Sequence, residues 1–248
     1  MSSENPVGAE VWQDEELVKR FLDGVRGGIP LVSAQFQTIK RLVKRLGFPV
    51  ERFLDLGCGD GILSATVFEA FPDAHGVLMD FSQAMLDAAD ERFQDSGMEF
   101  TCLRGDYSQA DWAESVGEFA PFDAVISGFS IHHQPDEIKR QIYEQIFSLL
   151  QPGGIFLNNE HVLSPTQWIE DASDDCFVDS LYQLHLKKGT GKSKEQVLQE
   201  FVHRPDKEAN ILTLVEKQCE WLREIGFEDV DCYFKIFELA IFGGRRQA

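Results

Sequence analysis

The strongest constraint on this chain's fold lies between residues 52 and 71. The run Arg52-Phe53-Leu54-Asp55-Leu56 breaks into Gly57-Cys58-Gly59-Asp60-Gly61, and Ile62 to Phe71 then reads as a helix stopped by Pro72. A buried strand that turns through glycines directly into a helix is the opening of a βα unit, and the strand that follows such a crossover runs parallel to the first. The unit recurs. Ala74 to Met79 predicts a second strand, and Ser82 an N-cap for a helix with Met85, Leu86, Ala89 and Phe93 at helical spacing. Met98 to Leu103 and Phe122 to Ser127 predict a third and a fourth strand. Pro135 opens a helix with Asp136 and Glu137 in its first turn and Ile138, Ile142, Ile146 and Leu150 on its buried face. Gln151-Pro152-Gly153-Gly154 predicts its end, and Ile155 to Asn158 a fifth strand.

This alternation requires a parallel sheet covered by helices on both faces. The tail departs from it. A helix around Glu216 to Ile225 is followed by Val230 to Ile236 and Glu238 to Phe242, too close for a helical crossover, so that pair is antiparallel. The expected fold is a Rossmann-like, doubly wound α/β sheet, mostly parallel and seven-stranded, with an antiparallel last strand. Residues 1–248 read as one domain, with a helical cap at 9–47 and a charged insertion at 164–207 placed to act as a helical lid.

Composition removes several alternatives. With 23 Lys+Arg against 42 Asp+Glu the net charge is −19, which repels nucleic acid; the one basic cluster, Lys40-Arg41 and Lys44-Arg45, reads as a solvated helix face. No apolar stretch approaches the roughly 18 to 20 residues that span a bilayer, and the acidic N-terminus lacks a signal peptide's pattern. Five cysteines without a C-x-x-C pair fit reduced thiols in the cytoplasm. A homodimer is left open.

The glycine loop narrows the ligand. Glycines let backbone approach a bound molecule, and the following helix N-terminus faces an anionic group. Asp80 ends the next strand, where it can accept from ribose hydroxyls. A nicotinamide fingerprint needs glycine at the sixth position from Gly57, which is Ile62, and no Lys-Ser/Thr follows the loop to make a P-loop.

Over roughly residues 50 to 160 the chain resembles the class I S-adenosylmethionine-dependent methyltransferases. The resemblance is carried by Asp55 to Gly61, Asp80-Phe81, Gly105-Asp106-Tyr107, Phe122 to Ser127 and Leu149 to Gly154. It implies S-adenosylmethionine as cofactor, S-adenosylhomocysteine as product, and methyl transfer to a small-molecule acceptor. By the same resemblance Gly57, Cys58, Gly59 and Gly61 wrap the methionine part, with Asp55 near its ammonium. Asp80 holds the ribose, Phe81 and Met85 pack on the adenine, and Asp106 accepts from the adenine amino group with Tyr107 beside it. Backbone around Ser127 lines the methyl-donor pocket, and Arg26 in a closing N-terminal segment meets the cofactor carboxylate.

Methyl transfer requires a base only if the acceptor loses a proton. His132-His133 follow the fourth strand and Asn158-Asn159-Glu160-His161 end the fifth, which makes His133 and Glu160 the candidate bases. The spacing of His132, His133, Glu160 and His161 matches no metal-ligand pattern, so no metal is expected. His203, Arg204 and Asp206, with Trp168 and Tyr182, are further candidates for reading the acceptor. No Asn/Asp-Pro-Pro-Tyr motif occurs; Ser127-Gly128-Phe129-Ser130 stands there, leaving the acceptor atom open. Two alternatives stay open: other S-adenosylmethionine chemistry, such as synthesis of a carboxymethyl donor, and a non-catalytic cofactor sensor or partner-binding protein.

Overall fold

The computed structural model describes residues 26–204, 207 and 209–248. Among them one sheet is formed by β1 (Arg52–Leu56), β2 (His75–Asp80), β3 (Glu99–Arg104), β4 (Phe122–Gly128), β5 (Leu150–His161), β6 (Phe227–Ile236) and β7 (Leu239–Arg246). The strand order is β3-β2-β1-β4-β5-β7-β6, parallel from β3 through β5, with β7 antiparallel to both of its neighbours. The helices are α1 (Val32–Lys44), α2 (Ile62–Phe68), α3 (Gln83–Phe93), α4 (Trp112–Ser115), α5 (Asp136–Leu149), α6 (Gln167–Lys188), α7 (Lys194–Val202) and α8 (Val215–Ile225). The mostly parallel sheet with its antiparallel last strand is the expected one.

The two-residue period of the central strands divides the core into two layers. Phe53 faces α1, α2 and α3, where it packs with Ile39, Val43, Leu63 and, edge to face at 5.0 Å, Phe68. Leu54 and Leu56 face the other way, onto Ile142, Tyr143 and Ile146 of α5 and Leu222 of α8. Strands buried on both faces read as near-continuous apolar runs, which is why β1 and β4 were conspicuous.

Boundaries differ where turn chemistry is ambiguous. Gln151 to Gly154 does not form a turn before the fifth strand. β5 begins at Leu150, pairs with Phe122, and carries these residues through a register irregularity between Phe122 and Ala124. A Cβ at Gly154 would meet the Asp123 and Gln151 carbonyls at 3.0 Å, so the glycine admits a bulge inside the strand. β6 starts at Phe227 and β7 continues to Arg246, both beyond the predicted runs.

Within 164–207, α6 and α7 hold a small separate core of Val178, Leu181, Val197 and Phe201. Leu181 also packs against the short 3-10 turn Arg26–Gly28, so closely that a Cβ at Gly28 would lie 2.4 Å from it. Of the cap expected at 9–47, α1 lies within the described residues; residues 9–25 lie outside them. Lys40 of the basic cluster pairs with Glu69 at 2.8 Å. No described helix is long and apolar enough to cross a membrane.

Candidate active site

Strand order reverses between β1 and β4, and a crevice opens beyond their carboxyl ends. A cavity lies there, about 800 Å3 with its open mouth included. Its floor is the glycine loop, tied down by backbone: Gly57 and Cys58 N–H both donate to the Met79 carbonyl, at 2.8 and 3.0 Å. Gly57 has φ +69°, and a Cβ on it would lie 1.9 Å from Ser130 Oγ, so only glycine fits on conformational and steric grounds alike.

Two buried carboxylates flank the loop. Asp80 Oδ2 accepts from Gly59 N–H and Oδ1 from Ser82 N–H, both at 2.9 Å, so Asp80 shapes the loop as well as facing the cavity. Asp55 Oδ2 accepts from Ser64 N–H at 3.1 Å and from Ser64 Oγ at 2.7 Å, while Oδ1 is buried with no partner. Burial, partly offset by the Ser64 bonds, pushes the Asp55 carboxyl up to about 7. An orphaned carboxylate oxygen on the wall of a cavity is complementary to a cation. It fits the ammonium of S-adenosylmethionine, as the glycine cradle fits the close approach of its methionine part.

Of the residues named from the sequence, Asp55, Gly57, Cys58, Gly59, Asp80, Phe81, Met85, Tyr107 and His133 line this one cavity. Others do not. Gly61 turns the chain into α2, packed so that a Cβ would meet the Phe93 ring at 2.6 Å. Ser127 Oγ donates to the Leu56 carbonyl at 2.7 Å, and the wall is made instead by Gly128, Phe129 and Ser130. Asp106 is exposed and bonds to Ser108 N–H and Gln109. The Arg26 side chain and Asp206 lie outside the described residues. Trp168, Tyr182, His203 and Arg204 are absent from the lining; Trp168 is 78% exposed, and the Arg204 guanidinium sits 4.3 Å from the Phe201 ring centroid.

The far wall, beyond β4 and β5, was only partly legible. Phe129 holds φ +51°, a strained left-handed conformation, and its N–H donates to the Asn159 carbonyl at 2.8 Å. Ser130 Oγ meets the Tyr107 hydroxyl at 2.5 Å. His133 Nδ1 lies 3.0 Å from the Ala209 carbonyl. A carbonyl only accepts, so Nδ1 carries a hydrogen and donates it to Ala209.

Alternation along β5 puts Asn159 and Glu160 on opposite faces. Asn159 lines the cavity; Glu160 is buried on the α5 side. Glu160 accepts from His132 N–H and His161 N–H, both at 3.1 Å, and meets His132 Nδ1 at 2.5 Å. Burial keeps His132 neutral and pushes Glu160 up to about 7, against the pull of His133 and Lys139. Lys139, buried and overlooked in the sequence, bonds to the Ile211 carbonyl and, at 2.7 Å, to Thr213 Oγ1. It thereby anchors the segment whose Ala209 carbonyl orients His133. A lysine three residues into a surface-patterned helix gave no signal of this.

A family model described as a methyltransferase domain matches residues 53–154. Among curated relatives, the carboxy-S-adenosyl-L-methionine synthase of Alteromonas mediterranea is 26% identical over 227 residues, covering 90% of this chain and 88% of that protein. The synthase of the same name from Aeromonas hydrophila is 28% identical over 233 residues, covering 90% and 86%. Among solved structures, an O-methyltransferase family protein from Burkholderia thailandensis superposes with a TM-score of 0.61 at 17% identity, covering 96% of this chain and 70% of that one. Human N-acetylserotonin methyltransferase in complex with S-adenosylmethionine gives 0.60 at 15%, covering 100% and 61%. The structural likenesses show the fold. The matched stretch contains the glycine loop, Asp80 and the crossing from β4 to β5, and over it the chain is similar to S-adenosylmethionine-dependent methyltransferases.

Proposed function

We propose that this enzyme methylates a neutral small-molecule acceptor, with His133 as the general base. The observation that carries this reading is the placement of His133 in the wall of the cavity, with its Nδ1 held against the Ala209 carbonyl so that the imidazole is oriented toward an acceptor hydroxyl or amine. Bound S-adenosylmethionine supplies an activated methyl group. The chain's own work is to bind, orient and keep water out. Asp55 Oδ1 takes the ammonium, Gly57, Cys58 and Gly59 wrap the methionine part, and Asp80 takes the ribose hydroxyls on the lone pairs its two backbone donors leave over. Phe81 and Met85 cover the adenine beside Tyr107, with Asp106 at its amino edge. Gly61 shapes the loop's exit, and backbone at Ser127 and the residues after it bounds the methyl side. Glu160 acts through His132 as a positioning residue. Residues 164–207 form the lid by bracing the segment before α1, which contributes Ile29 to the lining.

A second reading, formation of a carboxylated S-adenosylmethionine, is favoured by the carboxy-S-adenosyl-L-methionine synthases among the chain's relatives, whose matches cover 90% of it. It requires a carboxylate-bearing co-substrate. Among the described lining residues there are two aspartates and neither lysine nor arginine, which opposes an anion.

Product analysis separates the two. S-adenosylmethionine is incubated with the protein and a panel of neutral hydroxyl and amine acceptors, or with carboxylate donors, and the products are identified by mass spectrometry. S-adenosylhomocysteine accumulating with a methylated neutral acceptor is the expected result. A carboxylated sulfonium formed only with a carboxylate donor would overturn it.

A further inference from the structure

The carboxamide of Asn159 is an unexplained polar group in the wall of the cavity. The residue is 1% exposed, and both Nδ2 and Oδ1 are buried without a hydrogen-bond partner. A buried donor and acceptor left unpaired are costly, so such a group calls for a partner from outside the chain, a water, an ion or a ligand. Its neighbour Asn158, on the other face of β5, has its amide nitrogen on the Tyr143 hydroxyl at 3.3 Å. Asn158 keeps only its Oδ1 unpaired, whereas among the described residues neither amide atom of Asn159 has a partner. Its position is fixed from behind: the Asn159 carbonyl holds Phe129 N–H at 2.8 Å, and this bond maintains the strained turn of Phe129 beside it. Asn159 therefore stands near the carboxyl end of β5 and lines the same cavity as His133 and the glycine loop.

We infer that Asn159 is the acceptor-reading residue, and that the acceptor is a neutral compound presenting a hydrogen-bond donor and an acceptor on adjacent atoms, such as a vicinal diol on a ring or a hydroxyl beside a carbonyl. A carboxamide, in either orientation, offers one N–H face and one oxygen side by side, and a vicinal donor–acceptor pair satisfies both at once. A single hydroxyl satisfies one and leaves the other buried and unpaired, which is how such a site discriminates against analogues lacking one group. Neutrality follows from the wall, where Asp55 and Asp80 face the same space and the described lining supplies no lysine or arginine. The inference rests on the methyl-transfer reading for the acceptor's place in the cavity, and its test is binding.

The experiment titrates 4-methylcatechol and 4-methylphenol calorimetrically into protein loaded with S-adenosylhomocysteine, for wild type, Asn159→Leu and Asn159→Ser. The second variant keeps a small polar side chain in case leucine disturbs the wall. Wild type is expected to bind the vicinal diol roughly tenfold more tightly than the monohydroxy ring. Both variants are expected to bind the two probes alike, with affinity for S-adenosylhomocysteine within about twofold of wild type. Equal or absent binding of the probes by wild type overturns the inference. So does a preference that survives in the variants, or a variant that loses the cofactor product instead of the diol. Asn159-dependent discrimination without methyl transfer to any acceptor would support Asn159's role and count against the methyl-transfer reading alone.

Discussion

Cofactor affinity should collapse on mild acidification, and Asp55 should be the cause. Its carboxyl is buried, accepts hydrogen bonds from Ser64 alone, and is pushed up to about 7 chiefly by desolvation. An ammonium is held by the carboxylate and not by the neutral acid. With a pKa of about 7, half of the free protein carries the carboxylate at pH 7, roughly one molecule in eleven at pH 6 and about one in a hundred at pH 5. The Kd for S-adenosylmethionine should therefore rise roughly fivefold from pH 7 to pH 6 and about fiftyfold by pH 5. The cofactor's own amino group, titrating near 8, stays protonated throughout. Isothermal titration across this range measures it, with Asp55→Asn as control because burial also raises the Asp80 carboxyl. The variant should bind weakly at pH 7 and with a much flatter profile. The unliganded protein should show the opposite sign: a carboxyl raised above its unfolded value withdraws stability as pH climbs from about 4 to about 7. A wild-type Kd flat between pH 7 and pH 5, or one equally steep in Asp55→Asn, would refute the reasoning.

Three other perturbations probe the loop and the far wall. Gly57→Ala forces a Cβ against Ser130 at a positive φ, so it should cost about 1–3 kcal/mol in denaturant unfolding and weaken S-adenosylmethionine binding as well. His133→Gln should lower turnover with a neutral acceptor by about 100-fold or more and leave the cofactor Kd within about twofold; unchanged turnover removes His133 as base. Lys139→Met strips the Ile211 carbonyl and Thr213 of their buried donor, so it should destabilise the fold by about 3 kcal/mol and reduce turnover through the loosened Ala209–His133 contact. Thermal melts and single-turnover rates check both effects.

Legibility in the sequence followed the range of the interactions. The β1–loop–α2 unit is a local matter of apolar run, glycines and helix, and its residues Asp55, Gly57, Cys58 and Gly59 all reach the cavity. Asp80 was placed by strand length, although its grip on Gly59 N–H appears only when β1 and β2 stand side by side. Local patterns misled where one chemistry serves two structures: Gln151 to Gly154 reads as the stop of a helix and lies within β5, at an irregularity in its register. The far wall depends on distant segments. Whether Asn159 or Glu160 faces the cavity is decided by a two-residue period whose phase is set by the neighbours of β5, and the sequence offers both as polar residues at a strand end. The fixing of His133 by Ala209, 76 residues away, and of that segment by Lys139 has no one-dimensional signature.

An S-adenosylmethionine site, gripped by Asp80 and the glycine loop, lies at the carboxyl ends of β1 and β4. Its most direct test is calorimetric titration of S-adenosylmethionine, S-adenosylhomocysteine and NAD into wild type and a folded Asp80→Ala variant. The account predicts binding of the first two, no binding of NAD, and affinity at least about tenfold weaker in the variant. NAD binding, or S-adenosylmethionine bound equally well without Asp80, would contradict it.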